Sequence, residues 1–257
     1  MNLKASIAGF KQTFIEFLSD PQWVIPSIIA PFTFTIVALM IYSDTSGPVV
    51  LQAVLGGGVL GMWGNTLYSA GWTISSDRYN GTLEPMMVSP TDIMDVVAGR
   101  AVWHTIIGLS NAVLVFIAAE LMFETSLTLA NPGLFFLMLL LTLASLASIG
   151  LIFSAFFVLT RASSILMSSL EFPIYLMSGA LFPVSMLPGW VEWISRALAP
   201  SWGVDAMKNA AFGVSDGSLL LSVGMMIGLM LLYYVMAHLL FRRIEENVRR
   251  HGTIGRF

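Results

Sequence analysis

Few residues in this chain carry charge, and the charged ones are concentrated. The stretch SSDRYNGTLEPMMVSP, residues 75–90, sets Asp77 beside Arg78, then Gly81, Thr82 and Glu84. This charged, Gly-broken loop lies between two apolar segments, well placed to receive a push from outside the bilayer. Gly81 permits a sharp turn, and Thr82 with Glu84 three residues before Met87 suits a helix start. A second group lies inside apolar sequence. Glu171 is ten residues after Arg161, about 15 Å along a helix. There a charge costs roughly 2.5–3.5 kcal/mol on insertion scales. Two readings of Glu171 stand side by side. One is contact with a cationic substrate or a protonatable gate. The other is a neutral or paired acid that holds helices together. Asn65, Tyr68 and Trp72 recur at three and four residues on one helix face, where they could line a cavity. Arg100, His104 and Asn111 share another face, with Arg100 reading as a snorkelling cation and the other two as interhelical hydrogen-bonders. No paired catalytic carboxylates, nucleophile with its base, or His-Glu-x-x-His occurs in a plausible context, so no enzymatic chemistry is expected. Cysteine is absent, which removes disulfides and Cys-ligated metals, and a lone His is poor grounds for a metal site. No Gly-x-x-x-x-Gly-Lys-Ser/Thr is present to bind ATP.

These residues must be held by helices in a bilayer. The composition is 56% hydrophobic and 11% charged, with mean hydropathy +0.82. Soluble domains carry roughly 25% charged residues. Apolar runs near 20 residues predict membrane helices, and the lack of period-two alternation argues against a β-barrel. Six spans are expected, at 22–42, 51–75, 95–122, 132–160, 163–184 and 218–241. Before them, Leu3, Ile7, Phe10, Phe14 and Phe17 recur at helical spacing, with Lys4, Lys11 and Glu16 on other faces. Residues 1–20 therefore read as an amphipathic surface helix rather than a cleavable signal peptide. The domain reading is a single membrane unit: surface helix 1–20, membrane domain 22–241 and basic tail 242–257. Residues 185–216 hold no full span. Pro183, Pro188, Trp190, Trp193 and Pro200 suit short helices that dip into the interface. With the N-terminus inside, ten of the twelve basic residues fall on the cytoplasmic side, in accord with the positive-inside rule. Both termini and the 76–94 loop are then cytoplasmic, and only Arg196 and Lys208 are external. The Asn80-Gly81-Thr82 sequon would never meet the glycosylation machinery there. The two halves show no internal repeat of the kind secondary transporters carry.

Within the loop, Thr82 can cap a short helix through Glu84, Pro85 and Met87. Ser89-Pro90-Thr91-Asp92 reads as a second start, with Ser at the N-cap and Pro at the first helical position. DRYNGTLEPMMVSP resembles the loop pattern of permease subunits in type-2 ABC exporters: Glu-Arg, then Gly-Thr-Leu-Glu, then Ser-Pro. A second block, FPIYLMSGALFPVSMLPGWVEWISRALAPSWGVDAMK at 172–208, is similar to that family's Ser-Gly, Phe-Pro and Leu-Pro-Gly-Trp segment. Asp77 departs from the family's usual Glu; the charge survives with a shorter reach. The loop is more like the daunorubicin-resistance and antibiotic-export branch than the polysaccharide branch.

The resemblance implies two paired permeases, each docking a separate ATPase subunit that holds ATP and Mg, with no cofactor in this chain. Asp77, Arg78, Gly81, Thr82 and Glu84 would belong to a coupling helix seated in the ATPase. The 185–208 segment would resemble the family's re-entrant helices at the exit. The expected protein is a multi-pass component of a bacterial or archaeal cell membrane, in contact with lipid and not with nucleic acid. It would export hydrophobic drug-like or lipid-like molecules. Export of a lipid-linked glycan, or an ATPase-independent channel or carrier, are the competing expectations.

Overall fold

The computed structural model describes residues 2–19, scattered positions between 25 and 40, and 47–123, 129–160, 163–180, 184–214 and 217–251. The expected first span, 22–42, falls largely outside the described residues, as do Pro183, Arg161 and the tail beyond 251. Among the described residues every regular element is helical. In chain order they are α1 (Leu3–Ser19), α2 (Gly47–Tyr79), α3 (Leu83–Val88), α4 (Ile93–Phe123), α5 (Pro132–Leu159) and α6 (Ser163–Met177). A 3-10 turn (Val184–Met186), α7 (Gly189–Arg196), α8 (Ala199–Phe212) and α9 (Gly217–His251) follow.

Among the described residues three helices are long and apolar enough to cross a bilayer: Ile93–Leu121, Pro132–Leu159 and Gly217–Val248. They occupy different places. Two-thirds of the most apolar stretch of α5 is buried, against 11% of that of α9. An all-round apolar helix at the centre of a bundle is what α5 presents. Pro132 in its first turn needs no hydrogen-bond partner for a missing N–H. The outer face of α9 exposes Leu220, Leu221, Leu231, Leu232, Val235 and Leu239, the surface expected to meet acyl chains.

Small residues set the close approaches. Gly58 of α2 lies against Ala112 of α4, where an added Cβ would sit 3.5 Å from the alanine methyl. A Cβ on Gly99 of α4 would collide with the Ser6 backbone, and one on Gly9 of α1 with the Val96 carbonyl. The surface helix α1 is thus seated backbone to backbone on the start of α4. Beyond that seat, Phe10, Phe14 and Phe17 all pack edge-on against Trp103, with centroids 4.8–5.9 Å apart. Such pairs contribute about 0.5–1.5 kcal/mol each beyond area burial.

Two local expectations are revised. The fifth apolar segment is helical only to Met177 rather than 184, because Gly179 at φ 74° turns the chain. Tyr175 donates to the Gly56 carbonyl and Ser178 to the Tyr175 carbonyl just before that turn. The helix expected to start at Ser89 starts at Ile93, and the Ser89 hydroxyl meets the Thr91 hydroxyl at 2.8 Å instead. Residues 185–212 form α7 and α8 as short helices of different character. Pro188 is the N-cap of α7, which leaves Trp190 and Trp193 72% and 82% exposed. α8 is enclosed: Pro200 sits buried in its first turn, Gly203 abuts Thr142 of α5, and Val204, Met207 and Ala210 are fully covered. Gly213, in the left-handed conformation, ends it.

Candidate functional site

The polar residues of the 75–90 stretch are brought together at one end of the bundle, where α1, α3, the end of α2 and the start of α4 meet. Asp77 and Arg78 are adjacent in the last turn of α2, so their side chains leave the helix about 100° apart and brace different neighbours. Asp77 is buried, and Arg100 of α4 is 1% exposed. The Arg100 guanidinium forks onto both Asp77 oxygens, with Nη1 on Oδ2 and Nη2 3.2 Å from Oδ1. Nη2 also donates to Gln12 Oε1 of α1 at 3.0 Å. A planar fork is the geometry that makes Arg–carboxylate pairs specific. The shorter Asp77 at this position therefore still reaches its partner.

Asp77 also holds the turn that follows it. The Thr82 hydroxyl donates to Asp77 Oδ1 at 3.1 Å and to its carbonyl at 3.2 Å, and the Thr82 N–H meets that carbonyl at 2.8 Å. Thr82 is the N-cap residue of α3 but its side chain makes no cap bond; the hydroxyl faces back to α2. Gly81 at φ 70° makes the reversal possible. Arg78 points the other way. Its Nη1 donates to the Thr160 carbonyl and its Nη2 to the Val158 carbonyl, both at 2.6 Å, with Phe157 O at 3.3 Å. Those are the carbonyls that the end of α5 leaves without helical partners, and a cation there also meets the negative end of the helix dipole.

The helix α3 is held from below and open above. Leu83 and Met87 are 1% exposed and pack with Ile74, Ile93, Phe241 and Ile244. Tyr79 is 93% exposed and Val88 66%, and Asn80, Gly81, Glu84 and Pro85 are exposed with them. Among the described residues Glu84 has no ion-pair partner. The arrangement is a short, rigidly based helix with a mixed apolar and acidic roof facing solvent.

The other predicted residues are dispersed. Asn65 is buried and its amide returns to the Gly61 carbonyl of its own helix at 2.7 Å; Asn111 is buried on α4. The side chain of Tyr68 lies outside the described residues, and Trp72 is half-buried on α2. Glu171 is half-buried on α6, with Oε1 against Gly64, and its backbone carbonyl accepts from Trp63 Nε1 at 3.1 Å. No described cavity gathers these residues together. At the far end of the bundle, Gln52 of α2 donates to the Ala180 carbonyl at 2.5 Å, and Ser195 of α7 to Met177 O. Arg196 pairs with Asp205 at 2.5 Å and lies over the Trp202 ring. Burial pushes the Lys208 ammonium below its usual range, Asp205 pulls it back up, and Arg196 lowers it further.

Sequence reading missed the central residue of the site. Arg100 was expected to snorkel to the membrane edge, yet it is buried and forked. Its partners are 23 and 88 residues away, so no local spacing marks them. The sole available signal was an arginine inside an otherwise apolar helix.

A bundle of membrane-length helices with a braced loop helix at one end is the architecture of a multi-pass membrane protein. The chain belongs to the ABC-2 type transporter family, whose profile matches residues 6–212. It is the multi-pass permease component of an ABC-type transporter, not its ATPase. No curated protein matched the chain.

Proposed function

We propose that this chain is the permease subunit of an ATP-driven exporter of hydrophobic drug-like or lipid-like molecules, and that α3 is the helix through which a separate ATPase moves it. The observation that carries the reading is the bracing of Asp77 and Arg78. A loop helix that meets only solvent needs no anchorage. The end of α2 that leads into α3 is tied to α1 and α4 through Arg100 and to α5 through Arg78, so a force on the exposed roof of α3 passes through Thr82 and Asp77 to three helices at once. Six spans and paired permeases complete the reading.

Orientation follows from charge. Lys4, Lys11, Arg78, Arg100, Arg242 and Arg243 belong to the elements gathered at the α3 end, while Arg196 and Lys208 belong to α7 and α8 at the other. The positive-inside rule then makes the α3 end cytoplasmic, where an ATPase can reach it. Two exposed tryptophans on α7 fit the opposite headgroup layer.

The test is to purify the chain with its ATPase from native membranes and measure which compounds stimulate ATP hydrolysis. Stimulation by hydrophobic drugs or lipids is expected. Recovery of the chain without an ATPase would overturn the reading.

A further inference from the structure

α9 has 35 residues, about 52 Å at 1.5 Å per residue. The apolar core of a bilayer takes about 30 Å, so the helix outruns it. The surplus at the C-terminal end is used. Phe241 and Ile244 are buried against Leu83 and Met87, the covered face of α3. One turn on, Glu245 is buried and its Oε1 accepts the Ile93 N–H at 2.7 Å. Ile93 opens α4, and its N–H is one of those that a helix start leaves without a partner. Asp92, directly before it, is exposed. The cap on α4 thus comes from a residue 152 positions away.

The same helix grips the other end of the bundle. Tyr233, twelve residues before Glu245 and about 18 Å from it along the axis, donates its hydroxyl to the Ala197 carbonyl. Ala197 is the C-cap of α7 and lies two residues before α8. Leu219 and Val223 of α9 pack into the cluster that holds Val204 and Met207 of α8. One continuous helix therefore touches the loop helix, the start of α4 and both short far-side helices.

We propose that α9 is a second transmission arm of the permease, and that Glu245 is the positioning residue that locks it to the coupling loop. This rests on the reading of α3 as the ATPase contact. When α3 is displaced, Glu245 carries α4 and α9 together, and α9 shifts α7 and α8 through Tyr233 and its packed face. An arm that merely filled lipid-facing surface would need neither a buried carboxylate at one end nor a hydroxyl tie to the α7 C-cap at the other.

Hydrogen–deuterium exchange on the co-purified complex, with and without ATP plus vanadate, tests this. In the native complex, trapping is expected to change uptake in both 76–94 and 184–212. In Glu245→Ala the change at 76–94 persists while that at 184–212 drops about fivefold, the population effect of a typical lost helix cap. Glu245→Gln keeps an oxygen for the Ile93 N–H and is expected to restore the far response. Tyr233→Phe, which leaves the loop untouched, must lose the far response as well, and it carries the test if Glu245→Ala does not assemble. An undiminished response at 184–212 in Glu245→Ala or Tyr233→Phe overturns the proposal, as does a Gln variant as defective as Ala. No change at 76–94 in the native complex would instead overturn the role of α3 itself.

Discussion

Breaking the Asp77–Arg100 pair is the sharpest test of how the loop is built. The two side chains are 6% and 2% exposed, so neither charge is solvated when its partner is gone. Arg100→Met leaves Asp77 with the Thr82 hydroxyl and no cation; Asp77→Asn leaves Arg100 with Gln12 and no full counter-charge. Removing one member of a buried pair costs about 3–5 kcal/mol, whereas replacing both with neutral groups of similar volume is often near neutral. The double variant Asp77→Asn/Arg100→Met should therefore be more stable than either single variant. The coupling energy should exceed about 2 kcal/mol, well above the 0.2–1 kcal/mol of an exposed pair. Equilibrium unfolding of the purified permease in mixed micelles, titrated with sodium dodecyl sulfate, measures all four corners of the cycle. Single variants that each lose less than about 1 kcal/mol would place the pair in contact with water and remove the argument that the loop is rigidly based.

Arg78→Ala should cost about 1.5–3 kcal/mol, the range for hydrogen bonds to a charged group, and raise amide exchange at the end of α5. Arg78→Lys should restore little protection, because an ammonium presents its donors from a single atom and lacks the planar two-nitrogen fork that spans the Val158 and Thr160 carbonyls. Gly81→Ala should cost about 1–2 kcal/mol from the positive φ alone, since nothing lies within 4 Å of the added methyl; Gly81→Asn should cost less, and the same unfolding titration compares them. Gly99→Ala should push α1 off α4 and alter the fluorescence of Trp103 as its three phenylalanine contacts loosen, at about 1–3 kcal/mol for overpacking. The lowered affinity of Lys208 for its proton means that the unfolded chain binds more protons on the alkaline side. Between its folded-state value and the usual lysine value, stability should rise with pH, and Lys208→Met should flatten that rise in the same titration repeated across pH.

What the sequence disclosed was local. The recurrence of Leu3, Ile7, Phe10 and Phe14 predicts α1, and the described helix spans Leu3–Ser19. Gly81 before Leu-Glu-Pro predicts a short helix, and α3 runs from Leu83 to Val88. Apolar runs near 20 residues located α4, α5 and the start of α9 within a few residues, since burial in lipid demands composition rather than particular partners; α9 continues ten residues past the expected 241. The site was only half legible. Asp77 and Arg78 stood out by type, but their acceptors belong to α4, α1 and α5, and which faces meet depends on how glycines such as Gly9 and Gly99 let helices approach. Thr82 was read as a cap because caps are local patterns; the nearer Asp77 carboxylate won its hydroxyl. Glu245 read as part of the basic tail 242–257, since nothing within ten residues hints at the Ile93 N–H.

The anchorage of Arg78 in the last turn of α5 bears on modularity. The two arginine-dependent ties reach into helices encoded before and well after the loop, so residues 75–90 are no detachable cassette. A graft of this stretch into a related permease would bring the exposed roof without its moorings. On the proposed coupling role of α3, transplanting specificity for an ATPase would mean carrying Gln12, Arg100 and the close of α5 along with the loop, or changing only the outward-facing residues and leaving the foundation in place.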